Sequence, residues 1–220
     1  METAETARSE SLDREWWLNT VAVLVRPRQV FEALRDDSDE AAGARQEPMA
    51  AIVFLGGIAA VLSTGAASRL LDDPLYDGLL IVLWAIVAGA IYGGASYLVV
   101  GGSLYVGQHA AGGTASFRQA RHLLGLSAMP LLVWLVFVWP VRLALYGEDL
   151  FRTGGSDGHT GQVVFDAIGG LFVAWVVALL WYGLRTVYEW DWRRCAIALS
   201  VSLAAVVAFA YAAAIILRGA

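Results

Sequence analysis

Long apolar blocks joined by short polar connectors make up most of the chain after Pro48. A helix of about 20 residues crosses the roughly 30 Å hydrocarbon core of a bilayer, and each block reaches that length. The pattern predicts five membrane-spanning helices, at about residues 49–68, 79–106, 123–145, 163–184 and 195–217. The second block is longer than a perpendicular crossing requires, so we expect this helix to tilt or to extend beyond the bilayer.

The polar segment before the first block, residues 1–48, contains two shorter apolar patterns. Residues 11–26 place Trp16, Trp17 and several aliphatic side chains near helical spacing, but the run is too short and too charged to span. We predict an amphipathic helix that lies on the membrane surface or packs on the ends of the spans. A second helix is predicted to start at Pro27, because proline is compatible with a first helical position.

Residues 36–47 are rich in acidic and small residues, and we predict a solvated linker there. The fold class that follows is all-α: a five-helix transmembrane bundle with short N-terminal amphipathic helices. We divide the chain into a cytoplasmic N-terminal segment, residues 1–48, and a membrane domain, residues 49–217.

The distribution of arginine predicts the orientation of the chain in the cell membrane. If the N-terminus is cytoplasmic, the outer segments hold only Arg69, Arg142, Arg152 and Arg218. Loops rich in Lys and Arg remain on the inner side, so we predict a cytoplasmic N-terminus and an outside C-terminus. Trp139 is expected to act as an interfacial anchor on the outer side.

Composition excludes some partners. The chain is 58% hydrophobic and carries a net charge of −5. It has no stripe of basic residues, which argues against nucleic acid as a partner. Its only cysteine, Cys195, excludes an internal disulfide.

Small residues recur at helical spacing in several blocks. In lipid such residues let helix backbones approach closely. Gly89 and Gly93 form a GxxxG pair in the second span, and Gly56 belongs to a similar stripe in the first. The fourth span has its own stripe, formed by Ala167, Gly170, Ala174 and Ala178. Packing within one bundle explains such stripes; a conduit lining or a dimer interface is the functional alternative.

Pro130 lies inside the third predicted span. It has no N–H for the carbonyl of Leu126, so we predict a kink there, with Ser127 partly satisfying the backbone. Such a kink serves either gating or packing.

The connector before the third span carries the candidate binding residues. Ser116 and Gln119 have capping-box spacing, so a helix is predicted to start at Phe117. Arg118, Arg121 and His122 follow in its first turns. Basic side chains at the inner leaflet can bind lipid phosphates or an acidic partner; the alternative is that they only set topology.

Catalytic motifs are absent from the sequence. There is no H-E-x-x-H, no G-x-S-x-G and no phosphate loop. No acid or base lies in the middle of a span; Asp166, near the outer end of the fourth, is the deepest. We therefore expect no enzyme, no metal and no cofactor. Ion-coupled transport usually needs buried ionisable residues, so it is poorly supported.

Three features together resemble the prokaryotic branch of the Yip family of membrane proteins. They are the entry segment from Pro27 to Leu34, the glycine-rich second span leading into residues 112–130, and the count of five spans with a cytoplasmic N-terminus. The resemblance covers about residues 21–217 and implies a five-helix bundle. In eukaryotes the family is linked to Rab GTPases and vesicle traffic. We expect no counterpart of the N-terminal region of those proteins here, so that role is not carried over.

The function expected from these observations is a non-enzymatic, membrane-organising or scaffold role. The expected partners are membrane lipids and another membrane protein or a second copy of the chain. The alternative is a transporter or channel-like component for a lipid or small solute, working along a groove between the second and third spans.

Overall fold

The computed structural model describes residues 14–155 and 160–219, which form helices and connectors without a strand. The helices are α1 (residues 14–22), α2 (Pro27–Ala33), α3 (Asp39–Leu62), α4 (Gly78–Ala110), α5 (Phe117–Ser127), α6 (Met129–Val133), α7 (Trp139–Tyr146), α8 (Thr160–Tyr188) and α9 (Trp192–Gly219). Short 3-10 turns occur at Ala67–Asp72 and Gly147–Phe151, and a π turn at Trp134–Val138 joins α6 to α7. The predicted all-α class is confirmed.

Five segments of the described chain are long and apolar enough to cross a membrane. They are Asp39–Leu62, Gly78–Ala110, Phe117–Phe151, Gly161–Tyr188 and Trp192–Ile216. The five predicted spans are thus confirmed by length and composition. The second, α4, has 33 residues, about 50 Å at 1.5 Å per residue. It exceeds the bilayer core, as the sequence predicted.

The predicted linker at residues 36–47 is wrong over most of its length, because α3 begins at Asp39. Ser38 caps the helix start by accepting a hydrogen bond from the Ala41 amide at 3.3 Å. Arg45 is fully buried. Its guanidinium donates to the carbonyl of Ala41 at 2.7 Å and to the carbonyl of Asp36. Two internal carbonyls thus replace part of the water that a polar segment was expected to need.

The two N-terminal helices are amphipathic, as predicted. Their buried side chains are Trp16, Val23, Val30, Phe31 and Leu34, counting the residues that flank each helix. The Phe31 ring lies against α8, where a Cβ on Gly183 would come within 3.1 Å of it. Several apolar side chains of the first segment stay exposed, namely Trp17, Leu18, Val21 and Val25. This segment therefore has one face packed on protein and another available to lipid.

Contacts divide the chain into two compact units. The first comprises Met1–Met49, Ser96–Ser127 and Leu179–Ala220, and the second comprises Ala50–Ala95 and Ala128–Ala178. The core of the second unit is rich in aromatic side chains. Its buried members are Ala59, Ile81, Trp134, Trp139, Leu150, Phe151 and Phe165.

Trp139 belongs to this core, so its predicted role as an exposed interfacial anchor is wrong. Its side chain is only 7% exposed, and its ring stacks on Phe151 at a centroid distance of 6.3 Å. The π turn just before it rotates the following residues relative to a regular helix. A regular helical pattern read from the sequence does not include that rotation.

Candidate functional site

The third span is interrupted beside Pro130. Helix α5 ends at Ser127 and α6 begins at Met129, with the proline in its first turn. The Ser127 hydroxyl donates to the carbonyl of Leu123 at 2.8 Å and not to that of Leu126. The interruption predicted from the proline is therefore present at Ala128, but the serine stabilises the turn before it.

The glycines of the second span lie directly against α3. A Cβ on Gly93 would come within 2.3 Å of the Val53 carbonyl oxygen, and one on Gly89 within 2.5 Å of the Ile58 side chain. On α3 the closest approach is at Gly57, not at the predicted Gly56, whose added Cβ would meet Leu132 only at 4.0 Å. Adjacent helical positions differ by about 100° around the axis, so a stripe read from spacing alone is easily displaced by one residue.

The connector helix α5 starts at Phe117, as predicted. The Gln119 amide donates to the Ser116 hydroxyl at 2.9 Å, which confirms the cap. The reciprocal half of a capping box does not form. The Gln119 side chain instead donates to the Leu34 carbonyl at 2.9 Å and accepts from the Tyr188 hydroxyl at 3.0 Å. This one amide links the N-terminal segment, the connector and the end of α8.

Arg118 is engaged by acidic residues at the start of α3 and just before it. Its guanidinium contacts Asp37 at 3.1 Å and Asp39 at 2.8 Å, and it also donates to the Asp37 carbonyl. The Ser116 hydroxyl donates to the same Asp37 carboxylate at 2.5 Å. The predicted binding residue thus holds the N-terminal segment to the connector, across 81 residues of sequence.

Arg121 and His122 point into the first unit. The Arg121 guanidinium lies 4.6 Å from the Phe117 ring centroid and 5.3 Å from that of Tyr97, which are cation–π distances. His122 is buried. The structure therefore brings Arg118, Arg121 and His122 onto one short helix with three different surroundings. Their predicted binding of lipid or of an acidic partner stays a prediction.

A cavity of about 400 Å³ lies within the second unit. Its walls come from the end of α3 and the turn after it, from α6 to α7, and from the first half of α8. Among the described residues no group of three His, Cys, Asp or Glu side chains could hold a metal ion.

The polar residues of this cavity lie at one end. Near the connectors, apolar side chains contribute to the lining alongside the polar ones, which are Ser63, Thr64, Ser68, Arg142, Gln162 and Asp166. Farther along the helices the lining is apolar: Leu131, Trp134, Phe172 and Val173. Val173 lies thirteen residues after the start of α8, which corresponds to about 20 Å along the helix axis. The cavity thus extends from the loop end well into the hydrophobic part of the helix.

Arg142 supplies the positive charge of the polar end. The side chain is only 9% exposed, and its guanidinium lies 5.3 Å from the Trp139 ring and 5.5 Å from the Phe165 ring. The Trp139 indole Nε1 is buried and makes no hydrogen bond within the described part of the chain. Sequence reasoning assigned these two residues to topology and anchoring, because their convergence depends on the fold of α7.

The fold and these sites define a multi-pass, helical membrane protein. A family model described as the Yip1 domain matches residues 21–215, and the chain belongs to this family. The match confirms the resemblance to the Yip family, which was inferred from the entry segment, the glycine-rich second span leading into residues 112–130, and the count of five spans. No curated protein and no solved structure matches the chain.

Proposed function

We propose that this Yip1-domain protein is a non-enzymatic scaffold that organises the membrane by pairing with a second copy of itself through α8. The supporting observation is the stripe of small residues on that helix, Ala167, Gly170, Ala174 and Ala178, all of which are exposed. No atom of another described element lies within 4 Å of a Cβ built on Gly170. The α8 stripe is thus a small-residue face without an internal helix against it.

The contrast with α3 and α4 supports this use of the stripe. In that pair the close approach of two backbones occurs where Gly57, Gly89 and Gly93 lie. Small residues permit such approaches between helices in lipid, where the hydrophobic effect does not drive association. A stripe of the same kind on two copies of α8 is self-complementary, as a two-fold symmetric interface requires.

Substitution at Gly170 tests the proposal. Pairing is detected by disulfide crosslinking between two copies that carry Ala174→Cys, in a background in which Cys195 is replaced by serine. In that background, Gly170→Leu is expected to abolish the crosslink. The leucine fits the single chain because its position is open, so the melting temperature should stay near that of the parent. Gly94→Leu is the matched control, since Gly94 on α4 is open in the same way.

Two results would contradict the proposal. One is equal crosslinking of Gly170→Leu and Gly94→Leu in native-composition membranes. The other is absence of crosslinking at Ala174→Cys when Gly170 is retained, at expression levels where the protein is folded.

The sequence-based alternative, a transporter or channel-like component, stays a prediction. The groove expected between the second and third spans is not where the described cavity lies. Its walls come from the first, third and fourth spans.

A further inference from the structure

We propose that the cavity of the second unit binds a membrane phospholipid, with the lipid phosphate at Arg142 and Trp139 and an acyl chain along Trp134 and Phe172. This inference concerns a site on this chain and does not depend on pairing through α8. It rests on three properties of the cavity: its charge, its open donor and its division into a polar and an apolar end.

The charge comes from a cation held among aromatic rings. Arg142 lines the cavity and its guanidinium lies near Trp139 and Phe165. A guanidinium is charged at every physiological pH and presents several N–H donors, and it matches the geometry of phosphate oxygens. A lipid phosphate could therefore form charge-assisted hydrogen bonds with this residue.

The second property is a buried hydrogen-bond donor that has no acceptor among the described residues. The Trp139 Nε1 is buried, and within the described residues nothing accepts from it. A buried donor without an acceptor is unfavourable, because it has lost its hydrogen bonds to water. A phosphate oxygen next to Arg142 would accept this N–H and the guanidinium N–H groups together.

The third property distinguishes a lipid from a free anion. A cavity of about 400 Å³ falls in the range of about 300–1,000 Å³ that is typical of pockets for organic ligands. Below the polar end the lining becomes apolar, with Leu131, Trp134 and Phe172. That arrangement suits an amphiphile, whose chain gains from burial against these side chains.

Three compounds distinguish binding of a phospholipid from binding of an apolar chain alone or of a free phosphate ion. Short-chain phosphatidylglycerol carries both phosphate and chains, a diacylglycerol with the same chains lacks the phosphate, and inorganic phosphate lacks the chains. Binding to the detergent-solubilised full chain is measured by native mass spectrometry and by the shift in melting temperature. Only phosphatidylglycerol is expected to bind the parent and to raise its melting temperature.

Substitutions then assign the binding to the cavity. Arg142→Gln is expected to weaken phosphatidylglycerol binding about tenfold or more, because a charged hydrogen-bond partner is lost. Trp139→Phe keeps the ring and removes only the N–H, so the expected loss is about threefold to tenfold. Asp166→Asn removes a negative charge from the lining and should strengthen binding. Arg69→Gln is the control, since Arg69 is an exposed arginine of the turn after α3 that does not line the cavity.

If Arg142→Gln does not fold, Trp139→Phe and Asp166→Asn decide the question. Unchanged affinity in both of these folded variants would overturn the proposal. So would equal binding of the diacylglycerol, which would indicate an apolar pocket only. Binding of inorganic phosphate with the same dependence on Arg142 would overturn the lipid assignment.

Discussion

A Cβ placed on Gly57 would lie 2.1 Å from the carbonyl oxygen of Gly89. No side chain fits at that distance, so α3 and α4 can approach this closely only because both positions are glycine. The contact joins the first two spans within the second unit and gives the small-residue pattern a definite location.

Opposite effects on stability are therefore expected for two alanine substitutions. Gly57→Ala should lower the free energy of unfolding by about 1–3 kcal/mol, because the added methyl group overpacks the contact. Gly94→Ala, on the open side of α4, should raise it by about 0.4–1 kcal/mol, since alanine restricts the unfolded chain and favours helix. Melting temperatures in detergent measure both. Two shifts of the same sign would contradict this account of the contact.

The contact between Arg118 and Asp37 predicts coupled effects on stability. Arg118→Gln and Asp37→Asn should each destabilise the protein, and the double variant should be more stable than the sum predicts, by about 1 kcal/mol. A double-mutant cycle on melting temperature measures this coupling. Additive effects would mean that the ion pair contributes nothing to holding the N-terminal segment on the connector.

The predicted lipid role of the connector needs a separate readout. If Arg118 and Arg121 bind headgroups, replacing both by Gln lowers the retention of anionic lipid in native mass spectrometry, whereas Asp37→Asn leaves it unchanged. Equal retention in all three proteins, with orientation preserved, would limit these arginines to internal contacts.

Asp72 predicts a dependence of stability on pH. Thr153 donates to this carboxylate from its hydroxyl and, at 2.9 Å, from its amide. These hydrogen bonds, helped by Arg69 and Arg152, hold the pKa of Asp72 below its usual value of 3.8. A carboxyl whose pKa is lowered by folding stabilises the protein above its unfolded pKa, and this contribution is lost as the pH falls through the folded value.

Asp72→Asn should therefore lower the melting temperature more at pH 7 than at pH 3. The variant tests the contact because asparagine still accepts one hydrogen bond but carries no charge. A difference between parent and variant that is the same at both pH values would show that the charged form has no advantage in the folded state.

Orientation is tested by accessibility of introduced cysteines, in a variant in which the buried Cys195 is replaced by serine. Leu75, 79% exposed in the connector between the first two spans, is predicted to face outward. Leu75→Cys should react with an impermeant thiol reagent in intact cells, and Ser38→Cys should react only after lysis. The reverse pattern would show a cytoplasmic Leu75. A second loop, residues 147–160, is also predicted to face outward, and its residues 156–159 lie outside the described structure.

Much of the fold could be derived from local patterns. The five spans follow from block length, because the bilayer requires about 20 apolar residues whatever their neighbours. The start of α5 at Phe117 followed from Ser116, whose hydroxyl acts on an amide three residues away. Signals of this kind involve only residues that are close in sequence, so no knowledge of packing is needed.

Partners distant in sequence could not be derived in this way. Gln119 was predicted to close a capping box, yet its side chain binds Leu34 and Tyr188, 85 and 69 residues away. Residues 39–47 were predicted to be part of a solvated linker because they are charged. The sequence does not show that the carbonyls of Ala41 and Asp36 accept hydrogen bonds from the buried Arg45. In both cases the outcome depended on which backbone carbonyls the fold places within reach of a polar side chain.

By itself, the sequence determined the class of protein, the number of spans, the Ser116 cap of α5 and the family, because hydrophobic length, turn chemistry and motif spacing are properties of the chain. Only the tertiary structure decided that Gly57 meets Gly89, that Arg118 binds Asp37, and that Arg142 and Trp139 meet in one cavity. These relationships depend on helix rotation, and a shift of one residue turns a side chain by about 100°. The apolar pattern of a membrane helix restrains that rotation weakly, since lipid and protein interior are almost equally apolar. Close packing and buried hydrogen bonds restrain it instead.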